Sequence, residues 1–143
     1  MATVITPTSF AETVTAGEEN PYYSRLSLIA DAFFTIEVLR EIGPDAYYPP
    51  PATSTSLLRL KPRTAETPEL SVLQQVLLQG DKKLKNALRE AFIASSHLLE
   101  ESLTKRRARE RAQSMGLSRS LLERRVERLS LSDLSLLLQK LRR

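Results

Sequence analysis

Two hydrophobic periods divide the chain. In "TIEVLREI" Ile36, Val38 and Arg40 alternate with Glu37, Leu39 and Glu41, and "STSLLRLKP" has the same period, so residues 35–41 and 56–61 are predicted strands. Ahead of them Leu26, Ile29, Ala30 and Phe33 fall at helical spacing with Ser24 placed as N-cap, which predicts a helix over 24–34. Near the start "TVITP" is a candidate short strand, and Pro7 opens a helical stretch through Phe10 and Val14 that stops at Gly17.

Beyond Thr64 the period lengthens to that of a helix. Thr67 as N-cap, Pro68 at the first helical position, Leu70, Leu73, Val76 and Leu77 on one face and Gly80 past the end form a nearly complete helix signature. The next helix is predicted to begin at Asp81. Leu84, Leu88, Ala91, Phe92, Ser95 and Leu99 make its apolar stripe, while Lys82, Lys85 and Arg89 make a second, basic one. The pattern leaves open whether it runs on into Lys105–Arg111 or breaks between Ser102 and Thr104. Ser118 caps a further helix with Leu117 and Leu122 placed as a hydrophobic staple, and Ser130 and Asp133 stand at capping-box spacing ahead of the last.

The two predicted strands are too far apart for a tight hairpin turn, because "GPDAYYPPP" lies between them. Pro49, Pro50 and Pro51 give that loop its shape as a stiff, polyproline-like spacer, since each fixes φ and extends its predecessor.

Composition narrows the chemistry. The 143 residues include no cysteine, which excludes disulfides, thiolate zinc sites and cysteine nucleophiles, and the single histidine, His97, does not build a metal site alone. No apolar run approaches the ~18 residues a spanning helix needs, and the N-terminus lacks a basic segment followed by an apolar one, so a soluble, cytoplasmic protein is expected. The net charge of +4 hides an asymmetry: residues 1–60 carry three basic against seven acidic side chains, while 61–143 carry 18 against ten. A positive field confined to the second half favours a polyanionic partner.

Most candidate motifs yield to plainer readings. "NPYY", Asn20 to Tyr23, approaches the Asn-Pro-Pro-aromatic loop with which adenine amino-methyltransferases grip their target, but Tyr22 replaces the second proline and a turn explains it. Four glycines form no glycine-rich strand-to-helix loop, so nothing in the chain predicts a cradle for an adenosyl or dinucleotide cofactor. His97 falls within the predicted helix with no serine facing it. The cations hold up better. Lys82, Lys83, Lys85 and Arg89 suit a phosphate backbone, with Asn86 available for a 2′-hydroxyl or base edge, although a solvated helix face explains the stripe equally well. Lys105, Arg106, Arg107, Arg109 and Arg111 place five cations within seven residues, Arg119, Arg124, Arg125 and Arg128 follow, and together they tilt the reading toward RNA.

Taken in order, the pieces resemble the C-terminal part of the small-subunit ribosomal RNA adenine dimethyltransferases. In that family an aromatic-x-Pro-Pro-Pro segment leads into the last strand of the methyltransferase sheet, and a Lys-Lys-x-Leu-Arg-Asn-x-Leu stretch opens a helix of a small C-terminal domain. Matching positions here are Tyr47, Pro49, Pro50, Pro51, Leu58, Arg59 and Leu60, then Lys82, Lys83, Leu84, Lys85, Asn86, Ala87 and Leu88, and the similarity runs from about Ser9 to the end. "NPYY" falls in the family's Pro-Gly-x-x-x-Tyr-x-Arg-Leu-Ser loop and not at its catalytic motif. Two departures accompany the match. The family's cofactor-binding half, with its Gly-rich and catalytic Asn-Leu-Pro-Tyr loops, would lie upstream of Met1, and Ala52, Thr53, Ser54 and Thr55 stand where the family usually has Lys-Val-Asp-Ser.

The resemblance implies a relative that kept the RNA-docking portion and lost the enzyme. The fold class expected is α+β, mostly helical: residues 1–64 as a remnant of the methyltransferase sheet region, with one helix and a two-stranded sheet, and 65–143 as a C-terminal helical RNA-binding domain. The RNA-binding residues are expected to be Arg25, Arg59, Lys61, Lys82, Lys83, Lys85, Asn86, Arg89, Lys105, Arg106, Arg107, Arg109 and Arg111, with no catalytic or metal-binding residue and no cofactor. The expected function is that of a non-enzymatic, ribosome-associated constituent of the small subunit. Its partners would be small-subunit ribosomal RNA and neighbouring ribosomal proteins, with no membrane and no small-molecule substrate. An assembly factor for the small subunit and the RNA-binding half of a split dimethyltransferase are the alternatives.

Overall fold

A computed structural model describes residues 1–142 and divides the chain into two units, one from Met1 to Thr64 and the other beginning at Ala65. The first contains strand β1 (Ala2–Pro7), helices α1 (Thr8–Val14) and α2 (Arg25–Phe33), strand β2 (Phe34–Ile42) and strand β3 (Thr55–Pro62). The sheet has three strands rather than two, in the order β1-β3-β2 and antiparallel throughout. β3 takes the centre because its alternation is the cleanest: Ser56 and Leu58 are buried, and Leu58 stands opposite both Val4 and Val38. Leu58 forms a core with Ala11, Val14 and Ala30, and Ile36 and Leu60 pack against it.

β1 is nearly all exposed, so its own pattern does not point to its partner, and it joins the sheet through backbone pairing with residues 48 to 58 positions away. The alternation in β2 does not carry through, because a bulge between Val38 and Arg40 sets Arg40 opposite Leu57. At the proline loop the Tyr47 hydroxyl bonds Thr55 Oγ1 at 2.7 Å, closing the loop onto the start of β3. The Tyr48–Pro49 bond is cis.

The second unit is helical: α3 (Pro68–Leu77), α4 (Leu84–Ala94), α5 (Lys105–Gln113), α6 (Arg119–Glu123) and α7 (Leu131–Leu141). Thr67 caps α3 by accepting from the Leu70 N–H, Thr104 caps α5 from the Arg107 N–H, and Ser130 and Asp133 close a reciprocal capping box at α7. Leu84, Leu88, Ala91, Val76, Leu134 and Leu137 are wholly buried, and Ser71 and Ser95 meet at 2.7 Å inside the core.

α4 starts three residues later than the pattern predicts. Lys83 is extended, and the segment before the helix pairs with the one after α6: Leu84 N–H donates to the Arg124 carbonyl at 2.8 Å, and the N–H groups of Val126 and Glu127 donate to the carbonyls of Lys82 and Gly80. The same pairing holds Arg124 extended and stops α6 at Glu123. The chain also breaks after α4, turning through Ser96 to Glu100, which settles the question left open at Ser102–Thr104. Gly116, at φ +76°, makes the left-handed turn after α5 that a side chain would resist. Among the described residues no helix is long and apolar enough to cross a membrane.

Candidate nucleic-acid interface

The face of α4 opposite its buried leucines carries Lys85, Asn86 and Arg89, at helical spacing. α4 packs against α5, where both helices bury alanines (Ala87 and Ala91 on one, Ala108 and Ala112 on the other), and α6 also packs on α4. Between the three helices lies an open hollow of about 600 Å³. Lys85, Asn86 and Arg89 line it from α4, Arg109 from α5 and Arg119 from α6, above an apolar wall that includes Leu117 and Leu122.

Four of the sequence-predicted residues therefore meet in one place: Lys85, Asn86, Arg89 and Arg109. Lys83 joins them indirectly, because Glu123 accepts hydrogen bonds from Lys83 at 2.8 Å and from Lys85. Lys82 lies before the helix rather than on its basic stripe, and its ammonium bonds the Gln79 side chain at 3.1 Å. Lys105, Arg106 and Arg107 occupy the first turn of α5, where Arg106 pairs with Glu110 at 3.1 Å. Arg111 pairs with Glu101 at 3.1 Å and lies over the Phe92 ring, 5.4 Å from its centroid. Arg25, Arg59 and Lys61 belong to the first unit, where Arg59 pairs with Glu37 at 3.5 Å.

Sequence reasoning missed Glu123 as the clamp on two of the proposed contacts. It also left Arg119, Gln113, Leu117 and Leu122 out of the candidate site. Arg119 had a signal as part of a run of late arginines, but only the return of the chain through α6 places it beside α4.

The two lysine hydrogen bonds, Lys83 first, hold the Glu123 carboxyl at about 2, well below its ordinary 4.5. A depressed carboxyl contributes stability that is complete above about pH 4.5 and lost as pH falls toward 2. Glu123→Gln is therefore expected to melt below the native chain from pH 5 to 7, with the difference vanishing as pH approaches 2; a difference that stays the same from pH 5 down to 2 would refute the clamp. Asp133 is likewise lowered, chiefly by the Ser130 N–H, and it pairs with Arg124 at 2.6 Å.

Among the described residues no three of His, Cys, Asp and Glu cluster. Gly17 and Gly80 leave room for a side chain, and Gly43, between β2 and a single 3-10 turn at Pro44–Ala46, has the Asp45 carboxylate against it. The lining of the hollow is rich in cations, with Lys85, Arg89, Arg109 and Arg119 around one carboxylate, Glu123.

A family model described as "Ribosomal RNA adenine dimethylase" matches residues 1–135. A probable ribosomal RNA small subunit methyltransferase A of Haloquadratum walsbyi is 34% identical over 92 residues, covering 60% of this chain and 31% of that protein. The corresponding protein of Pyrococcus abyssi is 33% identical over 99 residues, 68% of this chain and 35% of that one. The chain thus spans about a third of the length of the curated relatives it matches. A crystal structure of a dimethyladenosine transferase from Plasmodium falciparum covers 99% of this chain with 57% of its own length, at 17% identity and a TM-score of 0.46. These findings overturn the expectation of a non-enzyme, because the matching family and the relatives are methyltransferases. That expectation inferred a lost activity from motifs missing in one segment, yet a segment that only binds and orients a substrate still serves catalysis. On a match that spans nearly its whole length, the chain belongs to the ribosomal RNA adenine dimethylase family.

Proposed function

We propose that the chain serves methyl transfer to adenine in small-subunit ribosomal RNA by docking that RNA on its helical unit, with the methyl donor held by residues other than these. The observation that carries the docking is the first turn of α5. Lys105, Arg106 and Arg107 stand there with no acidic residue among them, at the positive end of the helix dipole where cations are disfavoured. Arg106 is 89% exposed. An external polyanion supplies the compensation that the first turn itself lacks. The residues expected to touch RNA are those named from the sequence, with Lys83 and Lys85 reaching it in competition with Glu123.

An enzyme that modifies its RNA once must leave, so reversible docking through exposed, weakly paired cations suits the family better than a permanent place in the subunit. Neighbouring ribosomal proteins then become passing contacts, and the protein is cytoplasmic and ribosome-associated only while it works. The test is filter binding of a small-subunit ribosomal RNA fragment at graded salt, alongside sedimentation of a lysate at high magnesium. If about six phosphates are contacted, log affinity should fall against log salt with a slope of about −4 to −5. The protein should travel with precursor particles and be sparse in mature subunits. Salt-independent binding, or stoichiometric presence in mature ribosomes, would sink the proposal.

A further inference from the structure

We infer that the hollow between α4, α5 and α6 seats one unstacked nucleotide of the docked RNA, its phosphate on the arginines and its base against the leucines. The inference rests on the RNA docking proposed above and adds a specific site to it. A volume of about 600 Å³ lies within the ~300–1,000 Å³ usual for small-molecule sites and admits one nucleotide rather than a stacked duplex.

Charge and wall together choose the ligand. Lys85, Arg89, Arg109 and Arg119 face a single carboxylate, Glu123, which Lys83 and Lys85 already engage. Among the described residues the guanidinium groups of Arg109 and Arg119 pair with no acid, and a guanidinium fork matches the oxygens of a phosphate. Arg89 donates to Glu90 at 3.3 Å, but its buried Nε has no hydrogen-bond partner, so the side chain gains a bond by turning toward an incoming acceptor. A bare phosphate has no use for the rest of the lining. Ala112, Leu117 and Leu122 give it an apolar wall, which suits the face of a base, and the carboxamides of Asn86 and Gln113 carry the donors and acceptors that a base edge requires. Bases splayed out of a single-stranded loop or bulge are what sequence-reading RNA proteins take up.

The test uses the whole chain and two probes, adenosine 5′-monophosphate and inorganic phosphate, each followed by chemical-shift changes in the NMR spectrum. The monophosphate should move the resonances of Gln113, Leu117 and Leu122 with millimolar affinity, and phosphate alone should bind at least tenfold more weakly. Arg119→Gln, at an exposed position that leaves the fold intact, should weaken the monophosphate about tenfold. Equal affinity for the two probes would reduce the hollow to an anion site, and no shift in those three residues would remove it as a site; either result overturns the inference. The salt-graded RNA assay keeps the two readings apart. RNA binding with a normal slope but no shift sinks the hollow and leaves the docking, whereas shifts in a chain that does not hold RNA would overturn the assignment to RNA.

Discussion

Replacing Leu88 with alanine is expected to lower the stability of the helical unit by about 2–5 kcal/mol. Leu88 is 0% exposed at the middle of α4, the helix that packs against α3, α5 and α6, so the missing side chain leaves a void in the core of the helical unit. Neighbours at that site are held by their own packing and collapse only partly into the space, which adds a cavity cost to the forfeited transfer energy. Urea denaturation followed by the helical circular dichroism signal measures it. All four tyrosines, Tyr22, Tyr23, Tyr47 and Tyr48, lie in the first unit, so tyrosine fluorescence separately reports on that half. A loss below about 1 kcal/mol would mean that the core around α4 is not packed as described. RNA affinity measured well below the midpoint should be unchanged, because Leu88 is buried in the core and does not line the hollow.

The second large effect concerns binding without stability. Changing Lys105, Arg106 and Arg107 together to glutamine should weaken RNA binding at low salt by about 10- to 100-fold and flatten the log–log salt slope by about two to three, roughly one for each phosphate left unneutralised. The fold should be unharmed or slightly firmer. Thr104 remains as cap, the exposed Arg106–Glu110 pair adds little, and the helix dipole no longer works against three cations in its first turn. A filter-binding series across salt with a melting curve for the same variant separates these effects. An unchanged slope would remove α5 from the interface, and a loss of binding that tracked a lower melting temperature would make the role structural.

Much of this architecture was legible before the structure. Ser24, Thr67, Ser118 and Ser130 stand immediately before observed helices, and the stripe Leu84, Leu88, Ala91 and Phe92 is buried as its spacing predicts. Such signals act over three or four residues and are therefore written locally. The basic character of the second half and the family likeness were equally plain. The inference that missing motifs meant a lost enzyme was not sound, because 143 residues matching about a third of their relatives cannot report on the remaining two thirds of the machinery.

What the sequence by itself determined, then, is the list of capped helices, the central strand, the cation-rich half and the absence of any cysteine chemistry. Tertiary structure alone decided how those parts meet. Residues 80–84 pair with 124–127, and this delays α4, shortens α6 and brings Glu123 onto Lys83 and Lys85. β1 finds β3 although its own residues are almost wholly exposed. Both pairings join backbone groups 40 or more positions apart, and backbone hydrogen bonds are nearly indifferent to side-chain identity, so no local pattern announces them. The hollow bounded by Arg89, Arg109 and Arg119 joins residues of three separate helices, which only the packing of α5 and α6 on α4 brings together.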